Sequence, residues 1–324
     1  MPSGADRERA DRERADQERA DQERADQERA DQERADQERA DLKRPDLEWA
    51  VQVAEAALTL DAAEAGALVR RLAAPPAGRR WTALVDGGGV VMASMSDRDP
   101  GAGHIDLLAV HPDEQGRGLG RRLVRAAEKW LRGQGATQAR FAGNPPCYAW
   151  PGIDVRYTAA ACLAESLGYE RHHVAWNMTA DLTSADLSTE GDVTGLAARG
   201  VAVRAADTAA DRERVAAFVR EHWNERWAWE AANAAGLHYA ERDGEPLAFA
   251  AWGARPAWFG PMGTAPAAQG LGVGRVLLRR CLADLRAAGY GSAQIGWVGP
   301  LRFYSRAVGA RAERVFWLYR RDLA

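Results

Sequence analysis

One stretch of this chain is written twice, 154 residues apart. Ala109–Val124 reads A-V-H-P-D-E-Q-G-R-G-L-G-R-R-L-V, and Gly263–Leu278 reads G-T-A-P-A-A-Q-G-L-G-V-G-R-V-L-L. In each copy a Pro stands three residues before a Gln, three glycines follow at alternate positions, and an Arg opens an amphipathic run. Strand-like segments, Ile105–Val110 and Phe259–Thr264, lead into both turns. A strand that closes into a glycine turn and opens a helix aims several backbone N–H groups at one point, with the positive helix end behind them. Glycines remove the Cβ atoms that would hold a phosphate off. The duplication therefore predicts two copies of one α/β unit that handles a phosphorylated ligand.

Two familiar phosphate loops are excluded by spacing. A Walker A loop needs Lys-Ser or Lys-Thr after its last glycine, and neither turn has one. A dinucleotide fingerprint would need Gly at 121 and 275, where Arg121 and Arg275 stand.

Around the turns the pattern alternates. Val51–Ala54 reads as a strand, Asp61–Ala73 as a helix, and Trp81–Asp86 and Val90–Met95 as strands. Leu119–Gly133 has helical spacing, Gln138–Ala142 is a strand, Tyr157–Leu167 a helix and His172–Ala180 a strand. Residues 182–200, rich in Ser, Thr, Asp and Gly, read as a linker. The order then restarts, with Ala209–Ala235 as one long helix and Leu301–Val308 as the last. The expected domains are 47–181 and 201–324, preceded by a charged repeat over 1–46.

That repeat, A-D-Q-E-R or A-D-R-E-R, has period five, so its alanines spiral and form no apolar stripe. A solvated, charge-paired helix and a disordered tail both fit it. It carries a net charge of −5 over residues 1–40 against −3 for the whole chain, which leaves a near-neutral body. Such a body argues against nucleic acid as the partner. No apolar run is long enough to span a membrane. Three scattered cysteines and six scattered histidines suggest reduced thiols in a cytoplasm and no metal site.

The sequence V-H-P-D-E-Q-G-R-G-L-G resembles the [RQ]-x-x-G-x-[GA] acyl-CoA signature of the GNAT N-acetyltransferases, and Q-G-L-G-V-G resembles it equally. The resemblance covers about 47–181 and 201–324. It implies two tandem α/β domains, each a mostly antiparallel mixed sheet whose two central parallel strands splay apart, flanked by helices. It implies acetyl-CoA as co-substrate, with the thioester in the splayed gap. The turn residues Gln115, Gly116, Arg117, Gly118, Leu119, Gly120 and Arg121 would hold the pyrophosphate in copy one. Gln269, Gly270, Leu271, Gly272, Val273, Gly274 and Arg275 would do so in copy two. Leu108, Ala109 and Val110, or Met262, Gly263 and Thr264, would hold the pantetheine arm through their backbone.

Acetyl transfer to an amine needs the amine neutral, the oxyanion stabilised and the departing thiolate protonated. Members of the family often carry a Tyr on the last helix in a pattern like F-Y-x-x-x-G-F. Phe303-Tyr304-Ser305-Arg306-Ala307-Val308-Gly309 resembles it with one extra residue, and makes Tyr304 the acid. Copy one has no such Tyr. For the base, His104 stands at the start of the strand before the first turn, and Asp106 follows on the same strand face; copy two has Trp258 at the place of His104. Glu225 and Glu230 are further candidates. The loop around Tyr148, Trp150 and Asp154 suits a hydroxylated substrate, and Trp223 and Trp227, at i,i+4, suit stacking on a sugar or a cationic amine. More loosely, the chain resembles bacterial glucosamine and glucosaminide N-acetyltransferases, which implies an amino-sugar amine as acceptor. Other readings stay open: a regulatory acyl-CoA-binding protein with degenerate halves, a protein N-terminal acetyltransferase, or a thiol-glycoside acetyltransferase like the tandem mycothiol synthases.

Overall fold

The computed structural model describes residues 46–323. The charged repeat, through residue 45, lies outside the described residues.

The first half begins with α1 (Leu47–Ala57) and α2 (Ala62–Leu72). The strand expected at Val51–Ala54 is thus the middle of a helix. Asp46 caps it, and Ala50, Val51, Val53 and Ala54 bury one side at helical spacing. The half continues with β1 (Trp81–Asp86), β2 (Gly89–Met95), β3 (Ala102–Val110), α3 (Leu119–Gly133), β4 (Gln138–Phe141), the short β5 (Ile153–Asp154), α4 (Thr158–Ser166) and β6 (Glu170–Asp181).

Within the expected linker, α5 (Glu190–Ala197) buries Leu196. The second half runs β7 (Ala202–Ala205), α6 (Ala209–His222), α7 (Glu225–Ala232), β8 (Gly236–Arg242), β9 (Glu245–Trp252), β10 (Trp258–Thr264), α8 (Val273–Ala287), β11 (Ser292–Ile295), α9 (Leu301–Val308) and β12 (Arg311–Asp322). The single helix expected over Ala209–Ala235 is broken at Trp223–Asn224, where the Asn224 side chain accepts from Trp227 N–H and starts a new helix.

Every strand belongs to one sheet, in the order β1-β2-β3-β4-β12-β6-β11-β10-β9-β8-β7, with β5 added on β12. The halves have exchanged their last strands. β12, from the second half, pairs with β4 of the first through Tyr319 to Asp322. β6, from the first half, pairs with β11 of the second through Met178 to Asp181. Side chains lock the exchange: Arg321 donates to the fully buried Glu128 of α3 at 3.0 Å, and Tyr319 to Glu165 of α4 at 2.8 Å. Each half's sheet is therefore finished by the other.

In both halves the central parallel pair is short. β3 and β4 pair only from Ala102 to His104, and β10 and β11 only at Trp258 and Phe259. Beyond those points the strands diverge and leave one edge of β3 and one edge of β10 without a strand partner.

Candidate active site

The glycines of both turns do three separate jobs. Gly116 and Gly118, like Gly270 and Gly272, have φ between 76° and 85°, which side chains with a Cβ rarely adopt. Gly118 and Gly272 are also the N-caps of α3 and α8. The third glycine admits a neighbour: a Cβ on Gly120 would stand 3.1 Å from Leu163, and one on Gly274 3.4 Å from Met262 and Thr264. Gln115 closes the first turn by donating to Val110 C=O at 2.9 Å. The amides of Gly116 to Arg121 bond to no other backbone group, so they remain available to a phosphate; in the second turn Leu271 and Arg275 amides are already used.

A cavity of about 820 Å³ runs from the first turn along the unpaired edge of β3 into the gap beside β4. Its volume suits a ligand of cofactor size. Leu108, Ala109 and Val110 form one wall, and Arg121, the guanidinium at the turn that has no carboxylate partner, lies at its mouth. Arg117 and Arg122 are ion-paired to Glu114 and Asp86. Asp106 faces into this cavity because β3 bulges there. Leu107 pairs with Met92 and Ile105 with Ala93, so Asp106 is the extra residue, and a bulge re-aims its side chain. Burial pushes the Asp106 carboxyl up to about 7, against a hydrogen bond from Ser94 and the charge of Arg79. Its Oδ1 is buried without a partner. Tyr148 lines the same cavity, its ring edge-on to Trp258 and Trp297, and burial holds its phenol well above the usual range.

His104 is placed differently from the sequence expectation. It is buried, its Nδ1 lies 2.8 Å from Ala142 C=O, and burial drops it to about 4. It is a neutral strut between the two strands at the point where they part, and it does not line the cavity.

Tyr304 is also displaced. Its ring is buried against Phe259 and Phe303, among the core residues under α8, and it lines neither described cavity. On this helix Tyr304 faces the core and its neighbour Ser305 is exposed.

The substrate loop is partly as expected. Trp150 and Asp154 both line the first cavity. Trp150 has guanidinium carbons of Arg314 and Arg255 each 3.8 Å from its ring centroid, so its faces are not free to stack on a sugar. Asp154 accepts from Arg156 on both oxygens and from Arg314 on Oδ2, which fills its acceptor sites. Arg156, which sequence reading passed over, is the polar group presented there: its Nε and Nη2 hold Asp154, and its Nη1 has no partner among the described residues. Trp223 and Trp227 stack on each other and pack on Phe249 in the core beneath α6 and α7, and line neither cavity. Glu225 is exposed and paired with Arg220. Glu230 is buried, and burial pushes it up to about 7, but it too lines neither cavity.

The second turn opens on a cavity of about 880 Å³ that reaches from Gln269–Arg275 only as far back as Thr264; Met262 and Gly263 are outside it. Its described lining holds three arginines, Arg275, Arg302 and Arg306, and no carboxylate. Arg302 and Arg306 come from α9, and nothing in their spacing from the turn announces them. At the bulge of β10, Gly260 and Pro261 stand where β3 has Asp106 and Leu107. Trp258, in the place of His104, leans over Gly296, where a Cβ would sit 1.7 Å from its ring.

Known proteins resemble this chain in both halves. A family profile described as the acetyltransferase (GNAT) family matches residues 22–148 and again 204–309. A mycothiol acetyltransferase of Thermomonospora curvata is 32% identical over 226 residues, which is 65% of this chain and 70% of that protein. Among solved structures, a tandem GNAT protein from the clavulanic acid biosynthesis pathway aligns over 85% of this chain and 95% of its own, with TM-score 0.61 and 17% identity. A GCN5-related glucosamine N-acetyltransferase region of a fungal multi-domain enzyme aligns over 87% of this chain, with TM-score 0.67 and 18% identity. This chain spans 38% of that larger protein.

Proposed function

Because the chain belongs to the GNAT family of acetyltransferases, we propose that it acetylates the primary amine of a small molecule and that its first half does the chemistry. The family uses acetyl-CoA as donor, which supplies an acyl group activated as a thioester. The free amides of the first turn, Arg121 and the unpaired edge of β3 fit that ligand: an anion site at one end and backbone donors along an apolar slot.

The observation that carries the proposal is the Asp106 carboxylate, half of it unpartnered, at the bulge of the slot. With an acidity near 7 it takes a proton from an ammonium group at neutral pH and leaves the amine nucleophilic. The amine nitrogen then bonds to the acyl carbon to give a tetrahedral oxyanion, stabilised by N–H groups on the unpaired edge of β3, and its collapse breaks the carbon–sulfur bond. The protonated Tyr148 hydroxyl donates to the departing thiolate, and the second proton shed by the nitrogen passes through solvent to restore that hydroxyl. His104 holds β3 and β4 at the divergence that makes room for this.

For the acceptor we favour an amino-sugar amine. The hydroxyl-bearing Thr59 and Thr158 at the far end of the cavity suit a polyhydroxylated molecule, and the mycothiol acetyltransferases among the chain's relatives point to a second acceptor, a mycothiol-related thiol-glycoside amine. A screen following free-thiol release from acetyl-CoA, with glucosamine, glucosaminides, peptides and aliphatic amines, tests this. Turnover with glucosamine or a glucosaminide supports it; turnover with peptides alone sinks it.

A further inference from the structure

At the far end of the first cavity, three segments of the first half meet one side chain from the other half of the molecule. Arg314 lies on β12, the exchanged strand, and its side chain is 8% exposed. Its Nε donates to Asp154 Oδ2 at 2.8 Å, and its Nη1 to Asp61 Oδ1 at 2.8 Å. Asp61 in turn accepts from the Tyr157 hydroxyl at 2.9 Å, and the same hydroxyl accepts from Leu60 N–H at 3.1 Å. Arg314 also lies on the face of Trp150.

We propose that Arg314 is a positioning residue: held between Asp61 and Asp154, it aims Arg156 at the acceptor, so that the second half finishes the substrate site of the first. This rests on the first half being the acetylating site. The geometry makes Asp154 a relay. Both its oxygens are filled by Arg314 and Arg156, so it cannot bind substrate itself, yet it fixes the Arg156 guanidinium against the cavity with Nη1 free. Although burial alone raises it, hydrogen bonds from Arg156 and Arg314 hold the Asp154 carboxyl below its ordinary value, so the relay stays ionised at neutral pH. Two guanidiniums and two carboxylates balance in charge. A buried set of this kind adds little stability over apolar packing of the same volume, so its value lies in orientation. The Nη1 it presents is a hydrogen-bond donor for a hydroxyl or anionic oxygen of the acceptor, remote from the amine that Asp106 deprotonates.

The test compares wild type, Arg314→Lys and Arg314→Met as full chains, with two readouts. In steady-state acetylation of glucosamine, Arg314→Met is expected to raise the acceptor KM about tenfold, the effect of losing one charge-assisted hydrogen bond. The acetyl-CoA KM stays within about twofold, and Arg314→Lys falls between. In amide hydrogen exchange, residues 57–61 and 154–158 exchange faster in Arg314→Met while 115–121 do not. An unchanged acceptor KM, or equal rises in both KM values, overturns the proposal. If wild type does not acetylate glucosamine, that counts against the acceptor proposed above, and exchange decides on Arg314 alone: equal protection at 57–61 and 154–158 in wild type and Arg314→Met overturns it.

Discussion

The two halves carry the same turn and differ in what stands behind it. Behind the first turn, β3 bulges at Asp106 and a cavity follows the strand to that carboxylate. Behind the second, the bulge holds Gly260 and Pro261, the cavity stops at Thr264, and Trp258 covers Gly296 across the parting strands. One half joins a turn with free amides to a buried carboxylate. The other joins its turn to three arginines, with no carboxylate among the lining residues. The turn depends on a few left-handed glycines and a helix cap, so both halves share it although the residues behind it differ.

The largest effect expected from this contrast is structural. Deleting 311–324 removes β12, and with it the partner of β4 and the Arg321–Glu128 pair. The shortened chain should lose cooperative thermal unfolding in calorimetry; a retained transition would show that the first half stands without the exchanged strand. Next, Asp106→Asn should lower kcat by about 10²–10⁴, the usual worth of a general base, while acetyl-CoA binding by calorimetry is kept. Tyr148→Phe should slow turnover by about 10², and Tyr304→Phe by less than about twofold. The reverse ranking would return the acid to the second half.

The pH dependence sharpens the same point. Burial raises Asp106 to about 7 in the folded chain, so the log of kcat/KM should climb with pH and level off above about 7. That limb should vanish in Asp106→Asn. For stability the sign is opposite: a carboxyl raised on folding contributes stability that is complete below its unfolded value near 4 and lost as pH rises through 7. Asp106→Asn should therefore melt above wild type at pH 8, and by a smaller margin at pH 5, a difference that thermal scans would read.

Much of this was legible from residues alone, and the failures have physical causes. The turns were readable because a left-handed glycine and a helix cap are local requirements. Asp106 was readable as a strand-face candidate, but not its bulge, which depends on register against β2. Tyr304 was readable as a helix residue in a family-like pattern, but not its burial against Phe259 and Phe303, which depends on how the helix packs on the sheet. Trp223 and Trp227 read as one face of a single helix, but the helix breaks between them, and their stacking and inward packing on Phe249 are set by the tertiary fold. The strand exchange was invisible because both halves end in similar strands, and partner choice is set by contacts such as Gln138–Asp322, 184 residues apart. Arg314 and Arg156 follow from that exchange and were out of reach with it.

The central claim is that acetyl transfer belongs to the first half. Gly118→Asp and Gly272→Asp place the same carboxylate in the two turns, each at a left-handed N-cap. With saturating glucosamine and thiol release as the signal, Gly118→Asp should abolish turnover and Gly272→Asp should keep most of it. Loss of turnover in Gly272→Asp with activity preserved in Gly118→Asp would contradict the account.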